Sequence, residues 1–281
     1  LTPLGFLLGF VFSGLIGILG YRRGALTTSG VSGALVVGTF IVGFGGWTWG
    51  LLLVAFFTSS SFLSLHRRRD KAFVSDRFAK GHRRDLGQAL ANGGLGALLA
   101  IAYGLSPRPE LFVAFVGAMA AVNSDTWATE VGVLSQQTPR LVTTGQAVLP
   151  GTSGGVTRYG SLAALGGGLF VGLCAVLFVA AECRITGRPV ALERLWPLIL
   201  VGGVSGLAGA FFDSLLGATV QRMGYCEVCQ KETERDIHHC GSPSRHLRGW
   251  RWLNNDVVNF ISSGVGALVA AGLTFWLVNP A

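Results

Sequence analysis

The chain has 281 residues, half of them hydrophobic and only 13% charged. Soluble domains carry about 25% charged residues, so this composition excludes an ordinary soluble domain. The formal net charge of +8 raises nucleic acid as a partner. The basic residues, however, fall in short loops between apolar segments, where membrane topology and anionic lipid account for them, and nucleic acid is set aside.

Apolar segments of about 20 residues, the length that spans a bilayer, recur eight times in chain order: 3–20, 25–44, 47–65, 86–105, 111–134, 156–182, 195–219 and 257–278. The expected fold class is all-α, a polytopic protein of about eight transmembrane helices forming one membrane domain over 1–281. The turn GFGGW at 43–47 is the tightest division between spans. The 42 glycines suit helices packed closely in lipid. No basic n-region or small-residue cleavage site precedes the first span, so no signal peptide is expected. The missing initiator Met leaves room for an upstream targeting segment.

Loops alternate between two sides. Side A collects Arg22 and Arg23, the basic run from Arg67 to Arg84, Arg140 and Arg158, and then Arg222, Lys231, Arg235, Arg245, Arg248 and Arg251. The opposite side holds only Arg108, Arg184, Arg188 and Arg194. The positive-inside rule then assigns side A to the cytoplasm, or to the stroma or matrix of an organelle, with both termini on the far side. Seven spans would scramble this partition. The tryptophans, among them Trp47, Trp49, Trp196, Trp250 and Trp252, mostly flank spans as interfacial anchors do.

Short echoes relate the second, third and fourth spans to the sixth, seventh and eighth. GALTTSGVSGALVVGTF resembles GVTRYGSLAALGGGLF, FFTSS resembles FFDSL, and GGLGALLA resembles SGVGALVA. They suggest either coincidence among Gly/Ala/Leu-rich segments or a duplicated four-helix unit. A duplication would divide the chain into 1–105 and 111–281, the second half carrying a Cys/His loop over 219–256. An even helix number would make the two units parallel, related by an axis along the membrane normal.

Three acids interrupt apolar spans: Asp125 and Glu130 in AVNSDTWATEVG, and Asp213 in AGAFFDSLLGATVQ. A mid-span acid costs about 2.5–3.5 kcal/mol on insertion scales, so it faces a partner or a wet cavity. Asp125 and Asp213 lie two or three turns before side A. They act chemically, or they are hydrogen-bonded acids that tie helices together; Glu130 also fits a helix-end acid wet by solvent. Near them the sequence sets groups that phosphate chemistry needs. PGTSGGVTRYG offers a Gly-rich loop leading into a helix, with Gly151, Thr152, Gly154, Gly155, Thr157 and the charge of Arg158. Asn123, Thr219 and Gln221 add hard oxygen ligands, and Mg²⁺ is commonly held by one or two carboxylates plus substrate phosphates. LNNDVVNF supplies Asn255, Asp256 and Asn259, and RRDLGQALANGG supplies Arg83, Arg84, Gln88 and Asn92. Asp256 and Asn259, like Gln88 and Asn92, share helix faces. All belong to side A, and one-sided chemistry favours an enzyme that draws a soluble cosubstrate from one compartment.

The last side-A loop carries Cys226 and Cys229 as C-x-x-C, then His238, His239 and Cys240. In a reducing compartment this reads as structural zinc, with a redox pair or incidental residues as alternatives. The zinc set is Cys226, Cys229, Cys240 and one of the two histidines, taken as His239. Cys174 and Cys183 read as small packing residues. His66, His82 and His246 read as solvated.

The runs FFTSSSFLS, QALANGG, NSDTWATEVG, GTSGGVT, DSLLGATVQ and LNNDVVN resemble the family of transmembrane protein 19, domain-of-unknown-function family 92. The resemblance spans nearly the whole chain. It implies the activity of the family's phytyl-phosphate kinase branch in the vitamin E pathway, which makes phytyl diphosphate. By that resemblance the chain is expected to be a polyprenyl-phosphate kinase that moves a phosphoryl group from a nucleotide, CTP by similarity to isoprenoid-alcohol kinases, to an isoprenoid monophosphate. Asp125 and Asp213 would bind Mg²⁺, with Asn123 and Asp256 close by. Arg158 and Arg83 or Arg84 would neutralise phosphate, and the loop Gly151–Gly155 would donate backbone N–H groups. Expected partners are the lipid substrate and membrane lipids. The alternatives are an ion or lipid transporter using Asp125 and Asp213, and a non-catalytic membrane scaffold.

Overall fold

The computed structural model describes residues 2–66 and 83–278. The basic stretch with Arg67, Arg68, Arg69, Lys71, Arg77, Lys80 and His82 lies outside the described residues. Eight helices among those described are long and apolar enough to cross a membrane. They are α1 (Pro3–Arg22), α2 (Thr28–Gly45), α3 (Trp47–Leu65), α4 (Leu86–Leu105), α5 (Pro109–Leu134), α6 (Arg158–Ile185), α8 (Pro197–Thr219) and α9 (Asn255–Val278), and a single turn, α7 (Leu192–Leu195), leads into α8. The all-α class holds. Two small antiparallel sheets are added in the side-A loops: β1 (Arg140–Leu141) with β2 (Gly155–Val156), and β3 (Met223–Cys226) flanked by β4 (Lys231–Thr233) and β5 (Arg245–Arg248).

Local chemistry sets the helix ends. Thr2, Thr27 and Thr157 each accept a hydrogen bond from an N–H of the first turn, and Asp85 forms a reciprocal capping box with Gln88. The tight turn at 43–47 rests on Gly46. Its φ of 86° lets one residue end α2 and begin α3.

The bundle is built around α5. Every residue from Ala114 to Ser124 is buried, and α5 packs against α3, α4, α6, α8 and α9. Small residues permit this: a Cβ on Gly117 would strike Ala270 and the backbone of Gly266, and one on Gly168 would strike the backbone of Gly202. At the periphery α1 turns Leu4, Leu7 and Leu15 outward, each more than half exposed, as a lipid-facing helix does. Trp47, Trp196, Trp250 and Trp252 are exposed. Trp49 is not an interfacial anchor: it is buried against Tyr103, Phe112 and Phe115. The expected duplication pairs α2 with α6. α2 packs chiefly on α1 and α4, and α6 on α5 and α8.

Candidate active site at one end of the bundle

Two glycines bring the intramembrane acids together. Cβ atoms on Gly206 and Gly209 of α8 would collide with Ser124 and Ala121 of α5, so the two helices touch backbone to side chain there. Asp213 follows Gly209 by four residues and Asp125 follows Ala121 by four. Each acid therefore stands one helical turn past the contact, on the same face. The two carboxylates are close enough to repel each other. Asp213 Oδ2 is buried and makes no hydrogen bond among the described residues; the Ser262 hydroxyl lies near it but outside hydrogen-bond geometry.

Both acids line a cavity of about 470 Å³. Its walls include Arg84 just before α4, Gln88 and Asn92 from α4, Asp125 and Glu130 from α5, Asp213 from α8, Gln221 just beyond α8, and Asn255 and Asn259 from α9. Its floor is the Gly-rich loop with Gly151, Thr152, Gly154, Gly155 and Thr157. That loop folds down onto α8. Gly154, at φ 81°, lies so close that a Cβ would sit 2.5 Å from Ala218, and a Cβ on Gly217 would sit 2.6 Å from Ser153 Oγ. Within the loop the Thr152 N–H donates to Leu149 and the Gly155 N–H to Thr152, so these two donors are already engaged.

Arg84 is the cation of the cavity wall. Its guanidinium donates to Ser61 Oγ at 2.8 Å and lies over the rings of Phe56 and Phe57. Burial lowers its pKa to about 10 against the opposing charge of Glu130, which leaves it protonated at neutral pH. Its backbone pairs with the α1–α2 loop: Arg84 N donates to Ala25, and Thr27 N donates to Arg84 O.

Five expected residues stand elsewhere. Asn123 is fully buried behind the cavity, where its Oδ1 accepts from Ser59 and Ser60 and its Nδ2 donates to Gly167 O. Arg158 is exposed as the first residue of α6 and does not line the cavity. Arg83 clamps the α1–α2 loop, donating to Leu26 O at 2.9 and 3.2 Å with its guanidinium over Tyr21. Thr219 is exposed, its hydroxyl bonded to Leu215 O. Asp256 is half-buried in the first turn of α9, outside the cavity lining.

The cavity also holds residues that sequence reasoning missed, chiefly Glu234, with Ser64, Ser153 and Ser214. Glu234 Oε1 accepts from Gln221 Nε2 at 3.0 Å, and Gln221 Oε1 accepts from Ser153 Oγ at 3.1 Å. Glu234 interacts electrostatically with both Asp125 and Asp213. No sequence signal singled out Glu234, since the same loop also carries Glu227, Glu232 and Asp236.

Beside this wall, Cys226, Cys229, His238 and Cys240 bring one ligand atom each to within 4.8 Å of one another. The histidine of the set is His238, not His239. His238 Nδ1 lies 3.4 Å from Cys240 Sγ, while His239 Nδ1 lies 3.2 Å from His238 Nε2 and so stands behind it. The His238 contact pulls the Cys240 thiol down to about 5, and hydrogen bonding with Cys240 pushes Cys229 up to about 11. Cys174 is a buried packing residue. His246 Nε2 lies 2.9 Å from Gly249 O.

Fold and site define an α-helical integral membrane protein whose polar chemistry gathers at one end of the bundle. The chain belongs to the integral membrane protein DUF92 family, whose model matches residues 11–267. It is 36% identical over 269 residues to protein PGR of Arabidopsis thaliana, covering 90% of each chain. It is 29% identical over 247 residues to an uncharacterized membrane protein of Methanocaldococcus jannaschii, covering 87% of this chain and 84% of that one. Identity to the chloroplastic protein VTE6 of Arabidopsis thaliana is 27% over 250 residues, 87% of this chain and 64% of that one. No solved structure matches.

Proposed function

We propose that this protein is a prenyl-phosphate kinase, transferring the terminal phosphoryl group of a nucleoside triphosphate, CTP by preference, to an isoprenoid monophosphate. The products are the isoprenoid diphosphate and the nucleoside diphosphate. The observation that carries this is the meeting, in one cavity, of two intramembrane acids, a Gly-rich loop and the half-buried Arg84. Relationship to VTE6 and the motif resemblance to the phytyl-phosphate kinase branch support it.

The donor set fits a hard divalent cation, because Asp213 presents a buried oxygen with no hydrogen bond among the described residues and Asp125 and Glu234 line the same cavity. Asp125 and Asp213 would hold Mg²⁺, which when bound supplies positive charge against the nucleotide phosphates. The chain itself orients and neutralises. Arg84 binds the acceptor phosphate, Asn255 and Asn259 donate to phosphate oxygens, and loop 150–157 closes the site against water. An acceptor phosphate oxygen is already ionised near neutral pH, so no strong general base is needed. Phosphoryl transfer of this kind depends on positioning and charge stabilisation.

The Cys226, Cys229, His238 and Cys240 cluster fits a structural Zn²⁺ that fixes the loop bearing Glu234. We further propose that this face lies in the cytoplasm or stroma. The test is to incubate purified protein with each labelled nucleotide and a panel of prenyl monophosphates. Labelled diphosphate is the expected product; vesicle flux without nucleotide consumption would favour a transporter.

A further inference from the structure

A second cavity, of about 80 Å³, lies among α1, α2, α3 and α4. Its wall is apolar, formed by side chains such as Phe12, Ile16, Val37, Leu53, Val54 and Phe57. Glycines keep it narrow: a Cβ on Gly50 would sit 2.5 Å from Val42 Cγ2, and one on Gly93 would sit 2.6 Å from Val37 Cγ1. The slot is not isolated. Arg84, Gln88 and Asn92 line both it and the polar cavity. Gln88 and Asn92, four residues apart, share one face of α4 and Arg84 stands just before its N-cap Asp85, so the polar and apolar spaces share a wall. Arg84 marks the junction, with its guanidinium over Phe56 and Phe57 and one N–H on Ser61.

We infer that this slot receives the hydrocarbon tail of the phosphorylated lipid, with the phosphate held at the shared wall of Arg84, Gln88 and Asn92. This rests on the prenyl-phosphate reading of the polar cavity. A cation beside an apolar slot is complementary to an amphiphile with an anionic head and a hydrocarbon tail, and to neither half alone. An apolar space left empty forfeits the dispersion contacts that a hydrocarbon restores. The small volume admits only the head-proximal end of a long tail. The remainder leaves past Phe12, 41% exposed at the outer surface, into the bilayer. Selection by the slot therefore acts on the first isoprene unit, and the distal tail length is read weakly.

The test is photolabelling of the full chain in phosphatidylcholine nanodiscs, using a geranylgeranyl monophosphate with a diazirine on its head-proximal isoprene. Label is expected on α1 and α3, at residues such as Ile16, Leu53 and Val54. Unlabelled geranylgeranyl monophosphate should compete it away, and geranylgeraniol or excess phosphatidylcholine should not. Arg84→Gln should weaken the competitor about tenfold, the loss of a charge-assisted contact. Label confined to α5, α6, α8 or α9, or insensitive to the competitor, would overturn the inference; equal competition by the alcohol would do the same. Labelling needs no nucleotide, so a slot that labels in a protein that transfers no phosphate separates failure of the kinase reading from failure of this one.

Discussion

Gln221 donates its side-chain amide to Glu234 at 3.0 Å and accepts from Ser153 at 3.1 Å, so one fully buried glutamine joins the Gly-rich loop to the Cys/His loop across the end of α8. Two loops far apart in sequence are thus braced against each other over the acids Asp125 and Asp213. This gives the Cys/His loop a task at the cavity: it delivers the carboxylate of Glu234 to a wall that already holds Asp125, Glu130 and Asp213.

Replacing Glu234 by Gln keeps the size of the side chain and removes its charge. Activity should fall about 10- to 100-fold, the scale seen when groups supporting a metal site are lost, with the Mg²⁺ concentration for half-maximal rate rising. Steady-state kinetics over a Mg²⁺ series would show it. An unchanged Mg²⁺ dependence would remove Glu234 from the site.

Elemental analysis should find about one zinc per chain. Cys226→Ser with Cys229→Ser should lose it, and so should His238→Ala, because His238 is within reach of Cys240. His239→Ala should keep the metal, since His239 Nδ1 meets the His238 ring at Nε2, the side away from Cys240. Retention in the His238 variant and loss in the His239 variant would reverse the assignment.

Gly209→Leu should separate α5 from α8. A side chain there strikes Ala121, and overpacking of this kind costs about 1–3 kcal/mol. The expected signature is a lower melting temperature, together with loss of turnover per folded molecule, because Asp213 stands one turn from the contact. Full turnover in the folded variant would show that the acids do not need to meet.

A cysteine placed within 184–194 should resist a membrane-impermeant thiol reagent applied from the cytoplasmic side, in a background lacking Cys174 and Cys183 and with the modified residue located by peptide mapping to tell it from Cys226, Cys229 and Cys240. The basic loops with Arg140 and Arg245 should be accessible to proteolysis from that side. Labelling of the 184–194 position would invert the topology.

The spans were legible because a bilayer demands long uninterrupted apolar runs, and the caps at Thr27, Asp85 and Thr157 sit where those runs begin. Asp125 and Asp213 were legible because an acid is expensive in such a run. Proximity in sequence misled at Asn123: two residues from Asp125 on a helix is about 200° of rotation, which points the side chain to the opposite face. Arg158 misled similarly, since the first residue of α6 projects outward while its neighbour Thr157 lines the cavity. Glu234 was invisible because charge in a polar loop costs nothing and so carries no signal. The choice between His238 and His239 depends on the turn following β4, which adjacent identical residues cannot encode.

The central claim is that the acids Asp125 and Asp213 serve phosphoryl transfer. The most direct measurement compares wild type with Asp125→Asn and Asp213→Asn for transfer of labelled phosphate from CTP to a prenyl monophosphate, with melting temperature read on the same preparations. Each change removes a charge, keeps the shape and relieves the cost of an acid in the membrane, so stability should hold or rise. Transfer should fall by at least about 100-fold. Lower melting temperatures with turnover per folded molecule intact would make the acids structural. Wild-type protein that transfers phosphate from no nucleotide to any prenyl monophosphate would contradict the claim outright.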